Sequence, residues 1–71
     1  LSSYQMNMLR AIAAGIHNGF LSQEVLETYR LGTKSNIPRI KKALIDRDIV
    51  EQRETGLYIS DPIFNKWFKR F

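Results

Sequence analysis

A mainly helical domain carrying one small β-hairpin is the fold class that this 71-residue sequence predicts, on three observations. Apolar residues recur at helical spacing in four separate stretches, and between the third and fourth the period shortens to two. Turn-forming pairs or single glycines (Asn18-Gly19, Gly32, Thr55-Gly56, Asp61-Pro62) stand where one stretch gives way to the next. The length allows a single domain with a modest core. With 44% apolar and 25% charged residues the composition is that of a globular chain, which excludes a disordered tail or a collagen-like segment.

The first helix is expected over 3–17, because Met8, Leu9, Ile12 and Ile16 share a face and Ser2 with Gln5 has capping-box spacing. Asn18-Gly19 stops it, and Gly15 inside it either ends it early or permits a close crossing. Ser22 caps a short second helix, about 23–31, with Glu24 at its positive end and Val25, Leu26 and Tyr29 turned inward before Gly32. Thr33 or Ser35 caps a third helix to about Asp48, with Ile37, Ile40 and Leu44 as its buried stripe. Pro38 is tolerated only near a helix start, which favours Ser35 as the cap. Val50 to Glu54 then alternate, Thr55-Gly56 turns, and Leu57, Tyr58 and Ile59 return. Asp61 caps and Pro62 opens a fourth helix with an apolar stripe of Ile63, Phe64, Trp67, Phe68 and Phe71.

Charge is unevenly distributed within a net +4. Arg30, Lys34, Arg39, Lys41 and Lys42 form one acid-free block, Lys66, Lys69 and Arg70 another, and Asp46, Asp48, Glu51, Glu54 and Asp61 lie between them. Three helices with a glycine-containing turn between the second and third, followed by a hairpin, are the order of a winged helix-turn-helix: a three-helix core plus wing, here with a C-terminal aromatic helix. In that arrangement the outer face of the third helix is free to enter a DNA major groove. Projection at about 100° per residue turns Asn36, Arg39 and Lys42 away from the apolar stripe.

Asn36 suits an adenine edge and Arg39 the acceptors of guanine, while Lys34, Lys42 and Arg30 suit phosphates, as do free amides near Ser35. The plainer reading of the same side chains is a solvated helix face, and for Lys41 a rim residue whose stem covers apolar surface. Arg53, on the expected wing, is flanked by Glu51 and Glu54, which repel phosphate. The third helix therefore has to carry most of the affinity.

Catalysis within the chain is not expected. His17 is the single histidine and reads as a helix C-terminal residue, and no metal-ligand spacing, P-loop or nucleophile elbow is present. The absence of cysteine removes thiolate chemistry and disulfides and fits a cytoplasmic setting. No stretch approaches the roughly 20 apolar residues of a membrane span, and residues 1–20 lack signal-peptide organisation. The start at Leu1 and the end within an amphipathic run lead us to expect a fragment of a longer protein.

The phrases LGTKSNIPRIKKALIDRDIVE and LYISDPIFNKWFKRF give the chain a family likeness: from about residue 4 to 71 it resembles the C-terminal winged-helix module of prokaryotic archaeal-type P-loop ATPases. The matching features are the small-residue turn from Gly32 to Asn36, Leu44 at the end of the core stripe, the Asp61-Pro62 pair and Trp67 in the aromatic helix. The resemblance implies a nucleotide-binding domain upstream, with ATP and Mg held there and no cofactor in this chain.

Two functions follow as expectations. One is a non-enzymatic module that binds double-stranded DNA through Lys34, Ser35, Asn36, Arg39, Lys42 and Arg53, as the targeting or regulatory end of an ATPase. The other is a protein-interaction domain, touching the ATPase domain or a second copy through Trp67, Phe68 and Phe71.

Overall fold

The computed structural model describes residues 1–69, with the side chains of 64, 65, 68 and 69 outside that description. Its elements are α1 (Ser3–Ala13), α2 (Gln23–Thr28), α3 (Asn36–Asp46), β1 (Val50–Arg53), β2 (Gly56–Ile59) and α4 (Pro62–Lys69). The predicted fold class and element order are therefore observed.

The starts of α1 and α2 follow local chemistry. At α1 the Ser2 hydroxyl accepts from Gln5 N at 3.2 Å while the Ser2 amide donates to Gln5 Oε1 at 3.1 Å, which is the capping box. At α2 the Ser22 hydroxyl accepts from Val25 N at 3.2 Å.

All three core helices end earlier than their apolar periodicity suggests, and by one device. A left-handed residue reverses the chain, and the amide of the apolar residue after it bonds back across the last turn. Gly15 (φ 104) is followed by Ile16, whose amide donates to Ala11 O at 3.0 Å. Arg30 (φ 54) is followed by Leu31, bonded to Leu26 O at 2.9 Å, and Asp48 (φ 58) by Ile49, bonded to Leu44 O at 3.1 Å. These closures correct the expected ends at 17, 31 and 48. They also turn Leu31 and Ile49 into the core and leave Ile16 half-buried against it.

Met8, Leu9, Ala11 and Ile12 of α1, Leu26 of α2, and Ile37, Ile40 and Leu44 of α3 form one cluster with Phe20, Leu31, Ile49, Val50 and Leu57. The expected stripe of α3 is buried as a whole. On α2 only Leu26 is buried, with Val25 and Tyr29 half-buried at the margin.

The hairpin is antiparallel, pairing Val50 with Ile59, Glu51 with Tyr58, Gln52 with Leu57 and Arg53 with Gly56. Its connection is thus Glu54-Thr55, and Gly56 belongs to the returning strand rather than to the turn, contrary to expectation. The reason lies across the strand. Leu57 N donates to His17 O at 2.7 Å, and His17 Nδ1 lies 3.0 Å from Leu57 O, so the α1–α2 linker docks on the free edge of β2. His17 is therefore an edge partner of the hairpin and not the helix C-terminal residue that its neighbours suggested.

Asp61 caps α4 as expected, its Oδ1 accepting from Ile63 N at 2.9 Å. The helix lies along α1 and β2. Ile63, placed by periodicity in the apolar stripe of this helix, is 79% exposed, and Trp67 is 44% exposed. Phe68 and Phe71, the other expected contact residues, fall outside the described side chains.

Candidate nucleic-acid interface

Lys34, Ser35 and Asn36 stand at the start of α3 and Arg39 and Lys42 further along it, and the structure treats them differently. Arg39 and Lys34 are exposed and make no ion pair among the described residues. Arg39 sits opposite the buried stripe, where its fork of donors faces water.

Lys42 is also outward, but its Nζ lies 2.6 Å from Asp46 Oδ2, one turn further along. Both side chains are well exposed, 77% and 60%, and an exposed pair at this spacing contributes only about 0.3–0.5 kcal/mol. Counterion release makes one phosphate contact worth about eightfold between 0.1 and 1 M salt, or ~1.2 kcal/mol. Asp46 therefore competes with a phosphate for Lys42 and cancels part of what that contact would contribute. Changing Asp46 to Asn should raise duplex affinity about two- to fivefold in a fluorescence anisotropy titration, because it releases Lys42 and removes a nearby anion. Helix stability should not fall, since a carboxylate at a helix C-terminus opposes the macrodipole.

Asn36 departs from expectation. It is half-buried, and the space above Gly32 that a side chain there would fill is taken by the Asn36 amide and the Tyr4 ring. Asn36 projects only about 70° from the centre of the apolar stripe at about 100° per residue, so it flanks the core instead of opposing it. Tyr4, 46% exposed, joins Asn36 and Arg39 around a hollow of about 150 Å³ between the start of α1 and α3. No periodicity in α1 signals this, because Tyr4 acquires its place only when Gly32 lets α1 and the turn approach closely.

Ser35 is likewise not the side-chain cap that Pro38 seemed to require. Its backbone is already helical (φ −68, ψ −20) and it makes no capping bond; its hydroxyl pairs with that of Thr33 at 2.8 Å. The amides of Asn36 and Ile37 are taken by the carbonyls of Thr33 and Lys34 at 3.0 and 3.2 Å, and Pro38 has none to offer. The expectation of free amides receiving a phosphate at this helix start is therefore corrected.

The wing is occupied with itself. Arg53 Nε donates to Glu51 Oε1 at 2.9 Å, and the guanidinium lies over the Tyr58 ring at 4.6 Å. Tyr58 in turn stacks on His17 with centroids 4.0 Å apart. Arg53 is thus held between a carboxylate and an aromatic face on a partly exposed surface. Lys41 lies over Phe20, 5.4 Å from the ring centroid, as the rim residue it was expected to be.

Among the described residues no cluster of His, Asp and Glu has metal-binding geometry, and no helix is long and apolar enough to cross a membrane. No curated protein and no solved structure matches the chain. The family model described as "Probable winged helix domain" matches residues 1–70. With the core helices, the turn and the antiparallel hairpin in the order that such a domain requires, the chain belongs to that winged helix family.

Proposed function

We propose that this winged helix domain binds double-stranded DNA through the outward face of α3, without catalysis of its own. The observation that carries the reading is Arg39, which is exposed opposite Ile37, Ile40 and Leu44 and joined by no acid among the described residues. Lys34 beside it and Lys42, once drawn from Asp46, extend the cationic face. Arg39 is assigned to guanine acceptors or to phosphate, the two lysines to phosphates, and Asn36 to a base edge at the rim of the groove. Ser35 takes a phosphate oxygen through its hydroxyl alone, and Arg53 is secondary because Glu51 holds it.

The resemblance to the C-terminal modules of archaeal-type P-loop ATPases supports a role as the targeting end of such an enzyme in the cytoplasm. ATP and Mg would then belong to an upstream domain. Exposed Ile63 and Trp67, one turn apart on α4, favour a second reading in which the same domain contacts that ATPase domain or another copy.

An anisotropy titration of a labelled mixed-sequence duplex separates the two readings. The double variant Lys34→Ala with Arg39→Ala should bind about thirtyfold more weakly at low salt, while circular dichroism stays unchanged. Equal affinity for variant and wild type refutes the α3 surface. A signal that stays flat for the wild type leaves only the protein-contact reading.

A further inference from the structure

We propose that a second, separate cationic hollow, between α1 and the end of α2, seats a backbone phosphate of the bound duplex. This rests on the DNA reading above and extends it to a part of the surface outside α3. The hollow has a volume of about 410 Å³ and is lined by Asn7, Arg10, Thr28, Tyr29 and Arg30. These lining residues carry two guanidiniums, two hydroxyls and an amide, and no carboxylate is among them.

The supply of hydrogen-bond donors there exceeds what the domain uses. Among the described residues the Arg30 guanidinium and the Thr28 and Tyr29 hydroxyls have no hydrogen-bond partner, and neither Arg10 nor Arg30 makes an ion pair. Glu27, the nearest acid along α2, instead accepts from Gln23 Nε2 at 2.8 Å. Asn7 acts as a positioning residue, since its Nδ2 donates to Arg30 O at 3.0 Å while its Oδ1 lies 3.4 Å from Arg10 Nη1. One amide thereby fixes the backbone of one arginine and steers the side chain of the other.

Arg30 also occupies the left-handed position (φ 54) that closes α2, the place Gly15 fills at the end of α1. A residue with a side chain is strained in that conformation, whereas glycine is nearly indifferent to it. Glycine can therefore replace arginine at this position without loss of the closure, which allows the guanidinium to be removed on its own.

Continuity with the α3 face favours a duplex phosphate over other oxyanions. Tyr4 precedes Asn7 by about one turn on α1 and packs beside Gly32 and Asn36 at the start of α3. Through α1, then, the hollow at Asn7, Arg10 and Arg30 neighbours the one at Tyr4, Asn36 and Arg39. A phosphate seated between Arg10 and Arg30 receives planar, forked donors from both sides, the geometry that suits guanidinium–phosphate contact.

The test is the anisotropy titration with Arg10→Ala combined with Arg30→Gly, repeated over a salt series. The Gly substitution relieves the left-handed strain, so the thermal midpoint should be held or raised. Affinity should nevertheless fall about tenfold at low salt, and the slope of log affinity against log salt should become shallower by about one to two. Wild-type affinity and slope in this variant, with Lys34→Ala and Arg39→Ala still weakening binding, overturn the phosphate seat and leave the α3 reading intact. Absence of duplex binding by the wild type removes both. A phosphoserine peptide that binds more tightly than the duplex, and only when Arg10 and Arg30 are present, also overturns the assignment to DNA.

Discussion

Replacing Gly56 with alanine should destabilise the domain by about 2–4 kcal/mol and lower its urea midpoint accordingly. Gly56 has φ 138, a conformation that side-chain-bearing residues rarely adopt, and a Cβ built there would stand 2.7 Å from the carbonyl carbon and 2.8 Å from the Cβ of His17. The obstacle is backbone, so relief requires the α1–α2 linker to move. That movement breaks the 2.7 Å bond from Leu57 N to His17 O and the contact from His17 Nδ1. Strain contributes roughly 1–3 kcal/mol and the lost hydrogen bonding about 1 kcal/mol more. Against the roughly 5 kcal/mol available to a domain of this size, such a loss removes about 40–80% of the stability. Gly19→Ala is the control. Its φ of 73 is also left-handed, but nothing lies within 4 Å of the added methyl, so it should cost only about 1 kcal/mol. Equal losses for the two variants would refute the close-approach account.

Gly56 also marks where the sequence could be read and where it could not. Thr55-Gly56 looks like a hairpin turn because glycine is most often required by turn geometry, whereas here the requirement comes from a chain segment about 40 residues away, which no local pattern encodes. The buried stripe of α3 was legible for the opposite reason: Ile37, Ile40 and Leu44 repeat at helical spacing within one element and need no partner to be recognised. Helix ends were legible only in part. Gly15 offered a visible stop, but Arg30 and Asp48 perform the same reversal without announcing it, and Leu31, buried by the reversal at Arg30, reads as a further turn of helix.

The outward face of α3 followed from the same projection that gave its core, and its electrostatics were half visible. Lys42 and Asp46 stand at the spacing that permits an ion pair on a helix. The hollow at Arg10 was not legible, because Asn7 and Arg10 come from one helix and Thr28, Tyr29 and Arg30 from the end of another. Only packing brings them together.

Duplex affinity should fall about 150-fold when salt is raised from about 50 to about 200 mM, and the size of that fall reports which cations touch phosphate. Lys34, Arg39, Arg10 and Arg30 supply roughly four contacts, and a slope of about −0.9 per contact gives about −3.6; a fourfold change in salt then yields the stated factor. Contacts confined to Lys34 and Arg39 would halve the slope and reduce the fall to about twelvefold. Full engagement of Lys42 or Arg53 would each steepen the slope by about 0.9. The two are separable, because Asp46→Asn should add the Lys42 increment and leave Arg53 with Glu51. At physiological salt one copy with so few contacts is left near micromolar affinity or weaker, the range of non-specific binding, so tight occupancy of a site requires a second copy or a linked domain. Binding that persists with a slope near zero would mean that phosphates are not the ligand of this surface, and both the α3 face and the Arg10–Arg30 hollow would lose their assignment together.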